Sequence, residues 1–134
     1  MKLALITIAA LCLSSVSAAA QEADVAEGEA RFRVCTACHS VGEDAGNRLG
    51  PVLNGVFGRR AGTYAGFSYS AAMMTAGKEG LIWTPKTLSQ YLAAPKKLVP
   101  GNKMAFIGLK DESDRVNVLA YLQTFSPEYR PTAE

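Results

Sequence analysis

The stretch Cys35-Thr36-Ala37-Cys38-His39 constrains this chain more than any other. Two cysteines three positions apart lie on one face of a single helical turn, with an imidazole immediately after. This is the spacing of covalent haem attachment: two thiols add across the two vinyl groups of a porphyrin, and the histidine reaches the iron from below. Three other chemistries use parts of the pattern. A thioredoxin-like redox pair sits at the end of a strand in a βαβ unit, and no strand precedes Cys35. A structural zinc site takes four ligands. Cys35, Cys38 and His39 supply three, and the chain beyond residue 20 has no other Cys or His. A plain disulfide would leave His39 incidental, whereas haem uses all three residues.

The chain has 134 residues, of which 49% are hydrophobic and 19% charged. That suits one small domain behind a targeting segment. Residues 1–20 read as a secretory signal, with Lys2 as its positive start, an apolar run from Leu3 to Leu13, and small residues at Ala18-Ala19-Ala20. Cleavage is expected before Gln21. The run is shorter than the roughly 20 residues a membrane-spanning helix needs. Leu11 is too large for the small residue that precedes a lipoprotein cysteine, which assigns Cys12 to the discarded peptide. Residues 21–134 then keep only the two motif cysteines, so no structural disulfide is available in an oxidising export compartment. A buried porphyrin would supply the missing core. Loss of Lys2 lowers the formal charge of +2 by one. Nucleic acid as a partner would call for a strongly basic surface.

Along the chain, Glu22, Asp24, Glu27 and Glu29 mark the start of a first helix, with Asp24 as its cap and Phe32 near its end. Gly28 inside that helix costs roughly 1 kcal/mol against Ala, which points to a close backbone neighbour. Residues 41–63 carry Gly50-Pro51, Gly55 and Gly58 and read as a loop that wraps a large group. Ser68 to Ala76 is predicted as a short helix closed by Gly77. Thr84-Pro85 is an N-cap followed by proline at the first helical position, opening a helix with Leu88, Tyr91 and Leu92 on one face that ends before Pro95. Lys96 to Lys103 is expected to be irregular. Asp111 caps a last helix to about Thr124, with Val118, Leu119 and Leu122 on its apolar face. The expected fold class is all-α: four to five helices and loops around one cofactor.

His39 is the only histidine, so a second histidine ligand is excluded within one chain. Methionine, lysine or an open position remain. Met73 and Met74 are neighbours on a predicted helix and read as packing residues. Met104 follows the Pro100-Gly101 turn in an irregular stretch, where a side chain can reach the iron without bending a helix. Spacing alone leaves Met104 open between ligand and core. It likewise leaves Arg59 and Arg60 open between solvated charge and a pairing with a haem propionate.

Assembled, these residues resemble the class I cytochromes c, and within them the bacterial periplasmic cytochromes c2. The resemblance runs from about Gly28 to Phe125. It is carried by Cys35 to His39, Gly50-Pro51-Val52-Leu53, Phe57-Gly58-Arg59, Gly66-Phe67-Ser68-Tyr69, Trp83, and the block from Tyr91 to Met104. That block resembles the family's axial-methionine loop and so implies Met104 as the second iron ligand beside His39. The resemblance also implies that the Pro51 carbonyl accepts a hydrogen bond from the His39 ring. It places Arg59, Tyr69 and Trp83 at the propionates and Tyr91 near the methionine sulfur, and it sets Gly28 and Phe32 against a last helix near Val118 and Tyr121. Asn102 stands where the family has a threonine that bonds a propionate. Met73 stands where it has a buried asparagine. Of the family's ring of docking lysines, Arg48, Lys96, Lys97, Lys103 and Lys110 are matched, while Val34 and Asp111 replace cations.

The implied function is a monomeric periplasmic electron shuttle with one covalent haem c, not an enzyme. Its positive rim would meet acidic docking sites on a quinol-cytochrome c reductase and on a terminal oxidase or photosynthetic reaction centre. The rival from another class is a haem enzyme or gas sensor with a labile sixth ligand, acting on peroxide or binding nitric oxide.

Overall fold

Helix signals in this chain are local, and the computed structural model, which describes residues 22–131, places helices where most of them fall. The expected signal segment and Cys12 lie outside the described residues. Five helices are present among those residues: α1 (Val25–Phe32), α2 (Ala71–Lys78), α3 (Pro85–Ala93), α4 (Pro95–Leu98) and α5 (Glu112–Gln123). A single isolated bridge between Arg60 and Ile82 is the only strand-like pairing among them. The fold is the expected all-α class.

Each longer helix opens on a cap. The Asp24 carboxylate accepts from the Glu27 amide at 3.0 Å, and Asp111 accepts from the amides of Ser113 and Asp114 at 2.7 and 3.3 Å. Thr84 and Thr87 exchange side-chain-to-backbone bonds at 3.2 and 2.8 Å, a reciprocal capping box ahead of Pro85. These bonds satisfy amides that have no partner inside the helix.

Two elements depart from the expected boundaries. Helix α2 starts at Ala71 behind a Ser70 cap rather than at Ser68, and Gly77 lies within it instead of closing it. A Cβ on Gly77 would collide with the Ala61 carbonyl, so this glycine permits contact between α2 and the long loop. Gly80, with φ of 103°, turns the chain after the helix. The stretch from Lys96 begins as the second residue of a short helix, not as irregular chain. Ala94 breaks α3 with an extended φ of −161°, and Pro95 starts a new turn there, where its lack of an N–H carries no penalty.

Packing of α1 on α5 anchors both ends of the domain. Phe32 and Val118 are 2% and 1% exposed, and the rings of Phe32 and Tyr121 lie 5.3 Å apart. A Cβ on Gly28 would fall on the Asn117 carbonyl, which is the close backbone neighbour the sequence called for. The Asn117 side chain accepts from the Asp24 amide at 2.9 Å. Arg31 bridges Glu27 and Asp114 at 3.0 and 2.9 Å. That pair of contacts is half-exposed and worth little beside the buried apolar faces. The loop of residues 41–63 follows as a chain of turns tied to the segment before α3, with Gly58 N–H to Trp83 O at 2.8 Å and Ala61 N–H to Leu81 O at 2.9 Å. No helix among the described residues is long and apolar enough to cross a membrane.

Candidate haem-binding site

The turn after α1 presents the attachment motif. The amides of Cys38 and His39 donate to the Cys35 carbonyl at 3.0 and 2.9 Å, closing one helical turn around the two thiols. Both cysteines are free and half-buried. Burial, with the neighbouring Cys38, pushes the Cys35 thiol up to about 11, so it is a neutral S–H at physiological pH.

The histidine ring is held from the far side of the loop. His39 Nδ1 lies 2.7 Å from the Pro51 carbonyl. A carbonyl can only accept, so Nδ1 carries the proton and Nε2 keeps its lone pair. Burial lowers the His39 pKa, the Pro51 bond opposes that, and Arg59 adds to it, which favours a neutral ring. Gly50 makes the approach possible, since a Cβ there would collide with the ring. The Gly50 amide donates to the Cys38 carbonyl at 2.8 Å and so fixes the loop against the motif.

Arg59 and Arg60, equivalent by spacing although the family resemblance implies only Arg59 at the propionates, part company in space. Arg60 is exposed and donates to the Gly77 carbonyl at 2.9 Å. Arg59 turns inward: Nη2 donates to the Val52 carbonyl at 2.9 Å, and the guanidinium carbon lies 4.7 Å from the centre of the Tyr64 ring. Its Nη1 is buried and has no hydrogen-bond partner among the described residues. A buried charged donor left unpaired is costly, and a propionate carboxylate is the acceptor its fork geometry fits. The Tyr69 hydroxyl accepts from the Tyr64 amide at 3.3 Å and titrates upward because of burial, although Arg59 opposes that. Trp83 is 7% exposed and lies 5.0 Å from the ring of Tyr91, whose hydroxyl burial pushes up to about 12. These residues fit a haem: two thiols, one neutral imidazole and a buried cation converge from separate parts of the chain.

Of the methionines, Met73 is core at 7% exposure and Met74 is exposed at 43%. Met104 is half-buried against the core from its irregular segment. Its neighbour Asn102 differs from what the family's threonine implied. The Asn102 carboxamide is wholly committed to backbone groups inside the loop: Nδ2 donates to the carbonyls of Pro95 and Val99 at 3.0 and 2.7 Å, and Oδ1 accepts from the Met104 amide at 2.9 Å. An asparagine directly after the Pro100-Gly101 turn, whose side chain can bond the amide two residues on, is the signal that could have revealed this.

The expected docking cations are all exposed, and four also tether the loops. Arg48 donates to the Thr36 carbonyl at 2.9 Å, Lys103 to Ser68 at 2.8 Å and Lys110 to Ala93 at 2.8 Å, while Lys96 donates to the Asn102 carbonyl. Lys97 has no such tether among the described residues. Lys96 and Lys97 border a shallow hollow shared with Phe106 and Ile107.

No family model matches the chain. It is 52% identical over 110 residues to a cytochrome c2 of Agrobacterium tumefaciens (strain II Chrys), covering 82% of this chain and 98% of the relative. A cytochrome c2 of Afifella marina is 51% identical over 107 residues, covering 80% and 86% of the two chains. The solved cytochrome c2 of Rhodospirillum centenum superposes with a TM-score of 0.73 at 46% identity, covering 78% of this chain and 99% of that one. With half its residues shared along most of its length, and the same fold, the chain belongs to the class I cytochromes c of the cytochrome c2 type, electron carriers with one covalent haem c.

Proposed function

We propose that this chain is a periplasmic single-electron shuttle that holds its haem iron between His39 and Met104. The observation that carries the reading is the bond from His39 Nδ1 to the Pro51 carbonyl. It leaves Nε2 as the free ligand atom and fixes the ring plane. Cys35 and Cys38 form the covalent links. Arg59, through its unpaired Nη1, holds a propionate together with Tyr69 and Trp83, and Tyr91 packs near the Met104 sulfur. When bound, the haem supplies a one-electron ferrous–ferric cycle, and a thioether ligand raises its potential. The chain performs no bond chemistry of its own and acts as a carrier, not an enzyme.

Residues 1–20 direct export and are removed, and residues 21–134 work as a monomer. The donor is a quinol-cytochrome c reductase and the acceptor a terminal oxidase or photosynthetic reaction centre. Both would be met through the rim formed by Arg48, Lys96, Lys97, Lys103 and Lys110.

The test is spectroscopic. The protein should be six-coordinate and low-spin at neutral pH, with a ferric sulfur-to-iron charge-transfer band. Met104→Ala should abolish that band, lower the potential and open the iron to cyanide, whereas Met73→Ala and Met74→Ala should keep it. A high-spin ferric spectrum in the unaltered protein would instead favour a haem enzyme or gas sensor. Retention of the band by Met104→Ala would overturn the ligand assignment.

A further inference from the structure

Asn102 is 3% exposed, yet every polar atom of its side chain is engaged. Its two amide hydrogens go to Pro95 and Val99, the first residue and the C-cap of α4, and its oxygen takes the Met104 amide. The main chain repeats the link, since the Asn102 amide donates to the Val99 carbonyl at 3.2 Å and the Lys96 ammonium donates to the Asn102 carbonyl. One planar carboxamide thus joins the end of a four-residue helix to the backbone of Met104. A helix that short has almost no stability of its own, and Pro100-Gly101 between them is a turn with φ of 85° at the glycine. Among the described residues, the carboxamide oxygen is the acceptor found for the Met104 amide.

We propose that Asn102 is the positioning residue for Met104. Its side chain clamps the loop so that the thioether is held at one place. The inference rests on Met104 being the second iron ligand. A carboxamide occupied on all sides has no donor left for a propionate, so the residue performs a different task from the threonine it replaces. The clamp acts on the rate at which the ligand leaves the iron rather than on the iron's chemistry. Loss of an outer partner of a metal ligand typically weakens binding by roughly 10- to 100-fold.

The experiment compares the intact protein with Asn102→Ala, Asn102→Thr and Met104→Ala, all as ferric holoprotein near neutral pH. The readouts are the rate of imidazole binding to the iron, limited by ligand departure, and the urea midpoints of the charge-transfer band and of far-UV circular dichroism. Asn102→Ala should bind imidazole roughly 10- to 100-fold faster. Its band should be lost at a urea concentration well below that of global unfolding. Asn102→Thr keeps an oxygen that can accept from the Met104 amide, so its rate should fall between the two, and it carries the test should Asn102→Ala fail to mature. Imidazole rates within twofold of the intact protein, or band and helix lost together in both variants, would overturn the clamp while Met104→Ala still lacks the band. If Met104→Ala retains the band, the ligand assignment itself falls, and the clamp with it.

Discussion

At the scale of single residues, the site depends on positions with little or no chemistry of their own. Gly50 donates nothing through a side chain, but its bare Cα lets the His39 ring lie flat against the loop and reach Pro51. Its backbone dihedral lies outside the left-handed region that would itself demand glycine. Space alone is the constraint. Gly50→Ala should therefore destabilise the holoprotein by about 1–3 kcal/mol, as overpacking does, and should speed imidazole entry. Gly46 lies in the same loop with nothing near its Cβ position, so Gly46→Ala should stay within about 0.5 kcal/mol. Urea denaturation of the two variants beside the unaltered protein makes the comparison. Equal midpoints would mean that the His39 ring has room to move.

Among the elements, the contact between α1 and α5 decides more than the helices do separately. Alanine is the better helix former by roughly 1 kcal/mol, so an isolated α1 would gain from Gly28→Ala. In the folded chain the added methyl meets the Asn117 carbonyl and the Tyr121 side chain. The helices must then separate, and the Asp24 amide loses its grip on Asn117. Gly28→Ala should lower stability by roughly 2–3 kcal/mol net, read as a fall in the denaturant midpoint with an unchanged slope. A gain in stability would show that the two helices can slide apart without loss.

For the molecule as a whole, Arg48, Lys96, Lys97, Lys103 and Lys110 are exposed cations on or near the segments that carry the ligand candidates. A net +2 over 134 residues is modest, so steering depends on where the cations stand. Lys96 and Lys103 each hold a backbone carbonyl as well as facing solvent, which makes their charge reversal an ambiguous probe. Lys97 is the clean one. Lys97→Glu should slow reduction by an acidic redox partner several-fold at low salt and flatten the dependence of that rate on ionic strength, with dissociation little changed. Stopped-flow rates across a salt series test this. An unchanged rate at low ionic strength would return Lys97 to the status of a solvated charge.

Features that depend on near neighbours were legible in the residues alone. The Cys35–His39 spacing, the caps at Asp24, Thr84 and Asp111 and the break at Pro95 are satisfied within a few residues, by bonds spanning a turn. The family resemblance extended this to the Pro51 carbonyl, which stands where it was implied. Choices that local chemistry left open were resolved by distant atoms. Spacing leaves Arg59 and Arg60 equivalent and the family resemblance points to Arg59, but only the folded chain supplies the Val52 carbonyl and the Tyr64 ring that hold it inward. Helix α2 runs through Gly77 because the Ala61 carbonyl occupies the place of its missing side chain. Asn102 turned from propionate to backbone because α4 formed beside it and offered two carbonyls. In each case the partner that selects the outcome is distant in sequence or belongs to another turn, and it arrives only when the loops close.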